Sequence, residues 1–189
     1  INHFKTQAGL EDLLALRKVQ RMPAAVMLPK VESPGEVDAA VAHLYSNGCT
    51  PTVVALIESS RGLEAADAIA AHPAVGALAF GGADLAADMG AEMAWEPLLF
   101  ARSRIVHAAA ASQIPAWDVP FLHLHDDAGL EREAAAAKAL GYCAKLAIHP
   151  AQLRHINAAF SPTPRQIERA QQVIAASARS AGGACVVEG

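Results

Sequence analysis

Short apolar runs alternate along the chain with longer segments of helical periodicity. The apolar runs begin near residues 1, 24, 52, 75, 116 and 144. Two of these runs, residues 52–57 and 75–80, are almost entirely apolar, which is typical of strands buried on both faces of a parallel sheet. Helices are predicted between the strands, at about residues 10–16, 34–47, 62–71, 98–112, 129–140, 151–160 and 165–180.

The boundaries of one predicted helix carry specific signals. Ser33, Pro34 and Glu36 stand in the register of an N-cap, a first helical position and a capping box. Asn47 and Gly48 form a common helix stop.

The regular alternation of strand and helix predicts an α/β fold with a parallel sheet. Polar residues follow nearly every predicted strand, which favours a (β/α)8 TIM barrel over a doubly wound sheet, because the active site of a barrel lies at the carboxyl ends of its strands. A complete barrel takes about 250 residues. We therefore expect about six βα units, the third to the eighth, in residues 1–160, with residues 161–189 holding a C-terminal helix and the start of a truncated lid segment.

Composition and charge narrow the class of ligand. Hydrophobic residues make up 53% of the chain, much of it alanine, without a run of membrane-spanning length. The net charge is −4, and the basic residues form no stripe, which argues against nucleic acid. The three cysteines, Cys49, Cys143 and Cys185, are expected to be buried free thiols. A cytoplasmic protein that binds small molecules is the prediction.

Two carboxylates follow the two most apolar strands. Glu58 comes directly after the first, and Asp84 follows the second after Gly81 and Gly82. Because the carboxyl ends of parallel strands open on one face, these carboxylates can converge although 26 positions separate them. Convergent carboxylates predict a divalent cation. The alternative is that each residue only caps the helix that follows it.

Several other polar residues follow predicted strands. Lys30 and Glu32 are expected to line the mouth of the barrel, with Lys30 as a catalytic candidate that contacts either the substrate anion or Glu58. A solvated surface lysine is the alternative. Gly82, Ala83 and His149 are further candidates for substrate binding, although His149 could instead bond to the neighbouring loop backbone.

Histidines offer a second metal hypothesis. His123 and His125 precede Asp126 and Asp127. Alternate positions after a strand point to opposite faces, and no third ligand has suitable spacing, so this hypothesis is disfavoured.

Five short stretches resemble the citrate lyase β-subunit-like proteins of the HpcH/HpaI aldolase superfamily. They are LPKVES at residues 28–33, ALIES at 55–59, LAFGGADL at 78–85, AIHP at 147–150 and FSP at 160–162. They occur in the family's order over almost the whole chain. The resemblance implies a TIM barrel that acts as an acyl-thioester lyase.

The resemblance also implies a magnesium site. In that family the Glu after the fifth strand and the Asp after the sixth bind Mg²⁺, and these correspond to Glu58 and Asp84. Oxygen ligands of this kind suit Mg²⁺. The family motif usually has an acidic residue where this chain has Ala83. Its substrate-binding Arg is expected immediately upstream of Ile1, and its lid after the end of this sequence.

The implied reaction is cleavage of a 3-hydroxy acyl-thioester of the citryl-CoA, citramalyl-CoA or malyl-CoA type, giving an acyl-thioester and a 2-keto acid. The alternatives are a pyruvate or phosphoenolpyruvate aldolase that acts on free acids, and a non-catalytic barrel that binds ligands. The expected partners are a CoA thioester and further copies of the chain in a homotrimer, without nucleic acid or membrane. No residue is a compelling general base.

Overall fold

The computed structural model describes residues 1–45 and 51–179. The described residues form one sheet of parallel strands in the order β1-β2-β3-β4-β5, so every strand lies beside its neighbour in the sequence. The strands are β1 (Ala25–Leu28), β2 (Thr52–Ile57), β3 (Val75–Phe80), β4 (Ala116–Asp118) and β5 (Ala144–Lys145). The α/β fold with a parallel sheet is confirmed.

Helices connect the strands. They are α1 (Gln7–Leu16), α2 (Pro34–Leu44), α3 (Ser60–Glu64), α4 (Ala66–Ala70), α5 (Gly82–Met89), α6 (Trp95–Ala111), α7 (Asp127–Leu140), α8 (Leu153–Phe160) and α9 (Pro164–Arg179), with a 3₁₀ turn at Pro150–Gln152. The single helix predicted at residues 62–71 is divided into α3 and α4, because Ala65 has ψ of 1°, outside the helical range. The predicted stop at Asn47 and Gly48 and the predicted lid lie outside the described residues.

The start of α2 differs in detail from the predicted capping box. Ser33 occupies the N-cap position, but its side chain makes no capping hydrogen bond. The Glu36 carboxylate instead accepts a hydrogen bond from the Glu32 N–H at 2.8 Å. The helix start was therefore predicted correctly, and its hydrogen bonds were not.

The two faces of the sheet have different neighbours. Alternate strand residues such as Ala55, Ile57 and Phe80 pack with the buried side chains of the helices. The opposite face forms a separate cluster of strand residues and their flanks: Val54, Ala77 and Ala79, with Met27, Leu56, Trp117 and Leu146. Within the described residues the helices thus pack on one side of the sheet. A doubly wound sheet would have helices on both sides.

The strand predicted at the start of the chain is wrong. Residues 1–3 have no regular structure, although the Ile1 nitrogen lies 3.5 Å from the Met27 carbonyl oxygen of β1. The Asn2 N–H donates to the Asp12 carboxylate, and the His3 carbonyl accepts from Thr6. These bonds form the turn that precedes α1 and occupy the groups that a strand ladder would use.

The last two strands are shorter than the runs at residues 114–120 and 143–148 from which they were predicted. β4 lies between Pro115 and Pro120, which have no N–H to donate to a ladder. Beyond β5, the Ile148 N–H donates to the side chain of Gln152 at 3.0 Å, which diverts the backbone from the sheet. Local bonding therefore limits both strands.

Of the three cysteines, only Cys143 lies in the part of the chain that the structure describes. Cys143 is a free, exposed thiol, so its predicted burial is wrong. It immediately precedes β5, the last strand of the described sheet. Cys49 and Cys185 lie outside the described residues. Among the described helices, none has the length and apolarity needed to cross a membrane.

A buried charge cluster joins β4 and β5 to the helices. Asp118 is fully buried and accepts hydrogen bonds from Arg102 Nε at 3.1 Å and from Lys145 Nζ at 2.6 Å. Lys145 Nζ also donates to Glu133 at 2.6 Å. The Arg102 guanidinium lies 4.5 Å from the centroid of the Trp95 ring. Two acidic and two basic side chains thus balance one another in a cluster of which Arg102, Asp118 and Lys145 are buried.

Candidate active site

Lys30 is the residue on which the predicted site converges. It follows β1 after Pro29, with the left-handed φ of 54°. This conformation costs a residue other than glycine about 1 kcal/mol. The Lys30 N–H donates to Glu58 Oε2 at 3.0 Å, and Lys30 Nζ donates to Asp84 Oδ1 at 3.2 Å. The structure therefore brings both predicted carboxylates to one residue.

Glu58 is placed by the end of β2 and by the glycine that follows β3. Ile57 and Phe80 are paired in the sheet, so Glu58 and Gly81 are neighbours. A Cβ atom at Gly81 would lie 2.2 Å from Glu58 Cγ, which is closer than any real contact. The absence of a side chain at residue 81 therefore makes room for the Glu58 side chain.

The surroundings of Glu58 disfavour its charged form. Burial raises the pKa of the Glu58 carboxyl above its ordinary value, and the negative charge of Asp84 raises it further. The Lys30 ammonium and the Lys30 N–H oppose this change in the pKa but do not cancel it. Additional positive charge beside Glu58 would consequently stabilise its carboxylate.

Asp84 lies in the first turn of α5, where the helix dipole favours a negative charge. The N-cap of α5 is Gly81, so the alternative that Asp84 caps the helix is wrong. Gly82, the first residue of α5, is buried, and a Cβ there would lie 3.0 Å from the Phe80 ring. Ala83 is exposed beside Asp84. The carboxylate itself is half exposed, as a ligand-binding group must be.

Two further acidic residues hold the loops around this pair. The Ser59 hydroxyl donates to Glu32 at 2.8 Å and, as the N-cap of α3, also accepts from the N–H of Gly62. Asp88 accepts from the Ser60 N–H at 2.7 Å, and this bond lowers the pKa of Asp88. Asp88 therefore ties α3, which follows Glu58, to α5.

Asp88 was not predicted from the sequence. The sequence pattern that could have identified it is its spacing of four positions from Asp84, which places the two carboxylates on one face of a helix. That spacing gives no indication that the partner of Asp88 is the backbone of α3.

The remaining predicted residues lie at the same edge of the sheet without joining these contacts. His149 follows β5, and its Nδ1 accepts from the Ala151 N–H at 3.2 Å, which is the loop-backbone alternative. His123 packs edge to face against Phe121. In the part of the chain that the structure describes, no group of three or more His, Cys, Asp or Glu side chains is arranged to hold a metal. The histidine metal hypothesis therefore has no support.

The Glu58 and Asp84 pair nevertheless fits a hard divalent cation. Glu58 accepts from the Lys30 backbone N–H and Asp84 accepts from the Lys30 ammonium, so a positive charge already lies beside Asp84. Mg²⁺ is commonly held by one or two carboxylates, with water and ligand oxygens completing its coordination. A pair, rather than a complete cage, is the donor set expected for an ion that also binds substrate.

Comparison with known proteins identifies the family of the chain. Residues 1–150 match the family described as HpcH/HpaI aldolase/citrate lyase, and the chain belongs to this family. The resemblance found in the five short stretches is thereby confirmed.

Similar proteins include enzymes and ligand complexes. The human mitochondrial citramalyl-CoA lyase is 34% identical over 193 residues, which cover 93% of this chain and 57% of the relative. The chain therefore spans little more than half the length of that relative. RipC from Yersinia pestis has a TM-score of 0.84 and 43% identity, covering 88% of this chain and 77% of its own. CitE from Mycobacterium tuberculosis, in complex with magnesium, acetoacetate and coenzyme A, has a TM-score of 0.81 and 33% identity. The match covers 100% of this chain and 69% of the CitE chain.

Proposed function

We propose that this protein is a Mg²⁺-dependent carbon–carbon lyase that cleaves a 3-hydroxy acyl-CoA, of the citryl, citramalyl or malyl type, into an acyl-CoA and a 2-keto acid. The observation that carries the proposal is that Lys30 hydrogen-bonds to both Glu58 and Asp84, which follow the carboxyl ends of two neighbouring parallel strands. Family membership supports this reading, and so does the CitE complex with magnesium and coenzyme A.

Glu58 and Asp84 would hold the metal. When bound, Mg²⁺ supplies Lewis-acid stabilisation of the oxyanion that develops as the carbon–carbon bond breaks. Glu58 is held by the Lys30 N–H and by its contact with Gly81, so its oxygens are oriented before any ligand arrives. Such preorganisation lowers the cost of binding.

The neighbouring residues would position the substrate. One oxygen of Glu32 is held by Ser59, which leaves the other free to accept a hydrogen bond from the substrate. Gly82 and Ala83 present the start of α5 beside Asp84, where no long side chain blocks the approach of a ligand. His149 is the outermost candidate for substrate binding, because it follows β5, and β4 lies between β5 and β3 in the sheet.

The architecture that we propose around this site is a TIM barrel. Sequential strand order supports it, as does the packing of the described helices on one side of the sheet. The exposed side chains along α9 support a division between residues 1–160 and a C-terminal segment. Assembly as a homotrimer rests on the family resemblance alone and is tested by the mass of the protein in solution.

The test is a direct assay of cleavage. The intact protein is incubated with citramalyl-CoA, malyl-CoA or citryl-CoA, and the released 2-keto acid and acyl-CoA are measured with Mg²⁺ or with EDTA. We expect cleavage of at least one thioester, abolished by EDTA. Asp84→Asn should reduce the rate by roughly 100-fold or more, because it removes one anionic ligand from a site that has two.

Two controls make the result specific. Asp67→Asn removes a carboxylate that pairs with Arg104 away from Glu58 and Asp84, and it should leave the rate unchanged. Cleavage of the free hydroxy acids at the same rate as the thioesters would favour a free-acid aldolase instead. Failure of the wild-type protein to bind Mg²⁺ would favour a non-catalytic protein.

A further inference from the structure

We infer that the Lys30 ammonium is an exchangeable occupant of the cation site: a divalent cation displaces it from Asp84 and frees it to bind an anionic group of the ligand. The inference rests on the proposed function, since it assigns Glu58 and Asp84 to the cation. It adds a role for Lys30 that the two carboxylates do not require.

The contacts of Lys30 hold its backbone more firmly than its ammonium group. The backbone N–H is bound to Glu58, at the less exposed end of the pair. The ammonium is bound to Asp84 at 3.2 Å, where the side chains are 50% and 53% exposed. Exposed ion pairs contribute little to stability, so the ammonium can leave Asp84 at small cost while the backbone remains in place.

The backbone conformation of Lys30 supports a functional role for this residue. Its φ of 54° lies in the left-handed region, where residues other than glycine, asparagine and aspartate are uncommon. Unfavourable conformations of this kind occur preferentially at functional sites. In this conformation a single residue contacts both carboxylates, one through its backbone and the other through its side chain.

The charges favour displacement over coexistence. Without a metal, Glu58, Asp84 and Lys30 together carry one net negative charge. A divalent cation changes that sum to one net positive charge, and it repels an ammonium that shares its ligand. The released ammonium remains tethered to the same backbone, where the excess positive charge attracts a carboxylate or thioester oxygen of the ligand.

The first test measures cation affinity directly by calorimetry, with Mg²⁺ and with Mn²⁺ as the probes. Lys30→Met removes the competing charge and retains the length of the side chain. We expect the association constant to increase about threefold or more, the factor that corresponds to losing one exposed ion pair. An unchanged or lower constant would overturn the inference.

The matched control removes a different cation from the same edge of the sheet. Arg61 is exposed in α3, three positions after Glu58, and the structure shows no bond from its side chain to either carboxylate. Arg61→Met should change the association constant by less than Lys30→Met does. Equal changes in both variants would mean that only the general surface charge matters, which would contradict direct occupancy.

The second test needs no variant. The wild-type protein is acetylated briefly with isotope-labelled acetic anhydride, with and without Mg²⁺, and the labelling of Lys30 is compared by mass spectrometry with that of the exposed Lys18. Release from Asp84 should increase the labelling of Lys30 about threefold relative to Lys18. A ratio unaffected by saturating Mg²⁺, or lowered by it, would overturn the inference.

The outcomes distinguish this inference from the proposed function. Cleavage of a CoA thioester, together with equal Mg²⁺ affinity in wild type and Lys30→Met, would retain the lyase and reject the exchange. Increased affinity and increased Lys30 labelling without any cleavage would retain the exchange and reject the lyase.

Discussion

Replacing Asp118 by asparagine should be among the most damaging conservative substitutions in this protein. Asp118→Asn keeps the shape of the side chain and removes its charge. The buried Arg102 and Lys145 would then share only Glu133, whose side chain is 20% exposed and lies 3.9 Å from the guanidinium of Arg102. The cluster would change from neutral to one net positive charge, carried by two buried cationic side chains.

The magnitude follows from the burial of the partners. Breaking a buried ion pair by removing one partner typically costs about 3–5 kcal/mol. The side chains of Arg102 and Lys145 are 2% and 0% exposed, so water cannot replace the lost carboxylate. For a chain of this length each kcal/mol lowers the melting temperature by about 2–4 °C, so the expected loss is about 6–20 °C.

The assay is thermal and urea unfolding of the intact protein, with Asp67→Asn as the matched control. Asp67 accepts two hydrogen bonds from Arg104 but is 53% exposed, so its replacement should cost less than about 1 kcal/mol. Similar losses in the two variants would refute the reasoning that burial decides the cost. If the unpaired lysine carries the penalty, Asp118→Asn combined with Lys145→Met should cost less than the sum of the single changes.

Two further predictions concern Glu58. Gly81→Ala places a Cβ against Glu58 Cγ, so we expect the Mg²⁺ affinity, measured by calorimetry, to fall about tenfold or more. The helical circular dichroism should not change. An unchanged affinity would show that the loop moves to accommodate the added methyl group. Because the pKa of Glu58 is raised in the folded state, the folded protein binds more protons than the unfolded chain just above the ordinary value of 4.5, and its stability falls as the pH rises through that range. In EDTA, Glu58→Gln should therefore gain stability relative to wild type with rising pH in urea unfolding experiments, and a constant difference would contradict the raised pKa.

The strongest sequence patterns predicted the centre of the sheet correctly. Residues 52–57 and 75–80 form strands with the predicted bounds, because long apolar runs leave few alternatives to burial in a sheet. The run at residues 143–148 was over-extended, since its outcome depends on the side chain of Gln152, which no local pattern signals. The run at the N-terminus failed because Asp12 and Thr6 take its polar groups.

The candidate site was predictable in part for the same reason. Placing Glu58, Asp84 and Lys30 after parallel strands predicts that they face one edge, and in the structure Lys30 hydrogen-bonds to each of the two carboxylates. Their roles as ligands of a metal remain a prediction. The left-handed conformation of Lys30 and the bond from Ser60 to Asp88 depend on contacts between residues that are distant in the sequence.

No pattern in the sequence predicted the buried charge cluster. Asp118 lies between two prolines at the end of a short strand, where a polar residue is usually exposed. Its partners are 16 and 27 positions away along the chain. Only the folded arrangement of α6 and β5 shows that it is the centre of an ion-pair network.

The adjacency of β2 and β3 has a consequence for folding. Glu58, Gly81, Asp84 and Asp88 all belong to the continuous stretch between the start of β2 and the end of α5. The entropy lost on closing a loop grows only with the logarithm of its length, and contacts close in sequence form fastest. The contacts that place the two carboxylates relative to each other therefore lie within a short stretch of sequence and should form early in folding. Changes of length in the later connections, such as that between α6 and α7, should alter the rim of the site without displacing the two carboxylates.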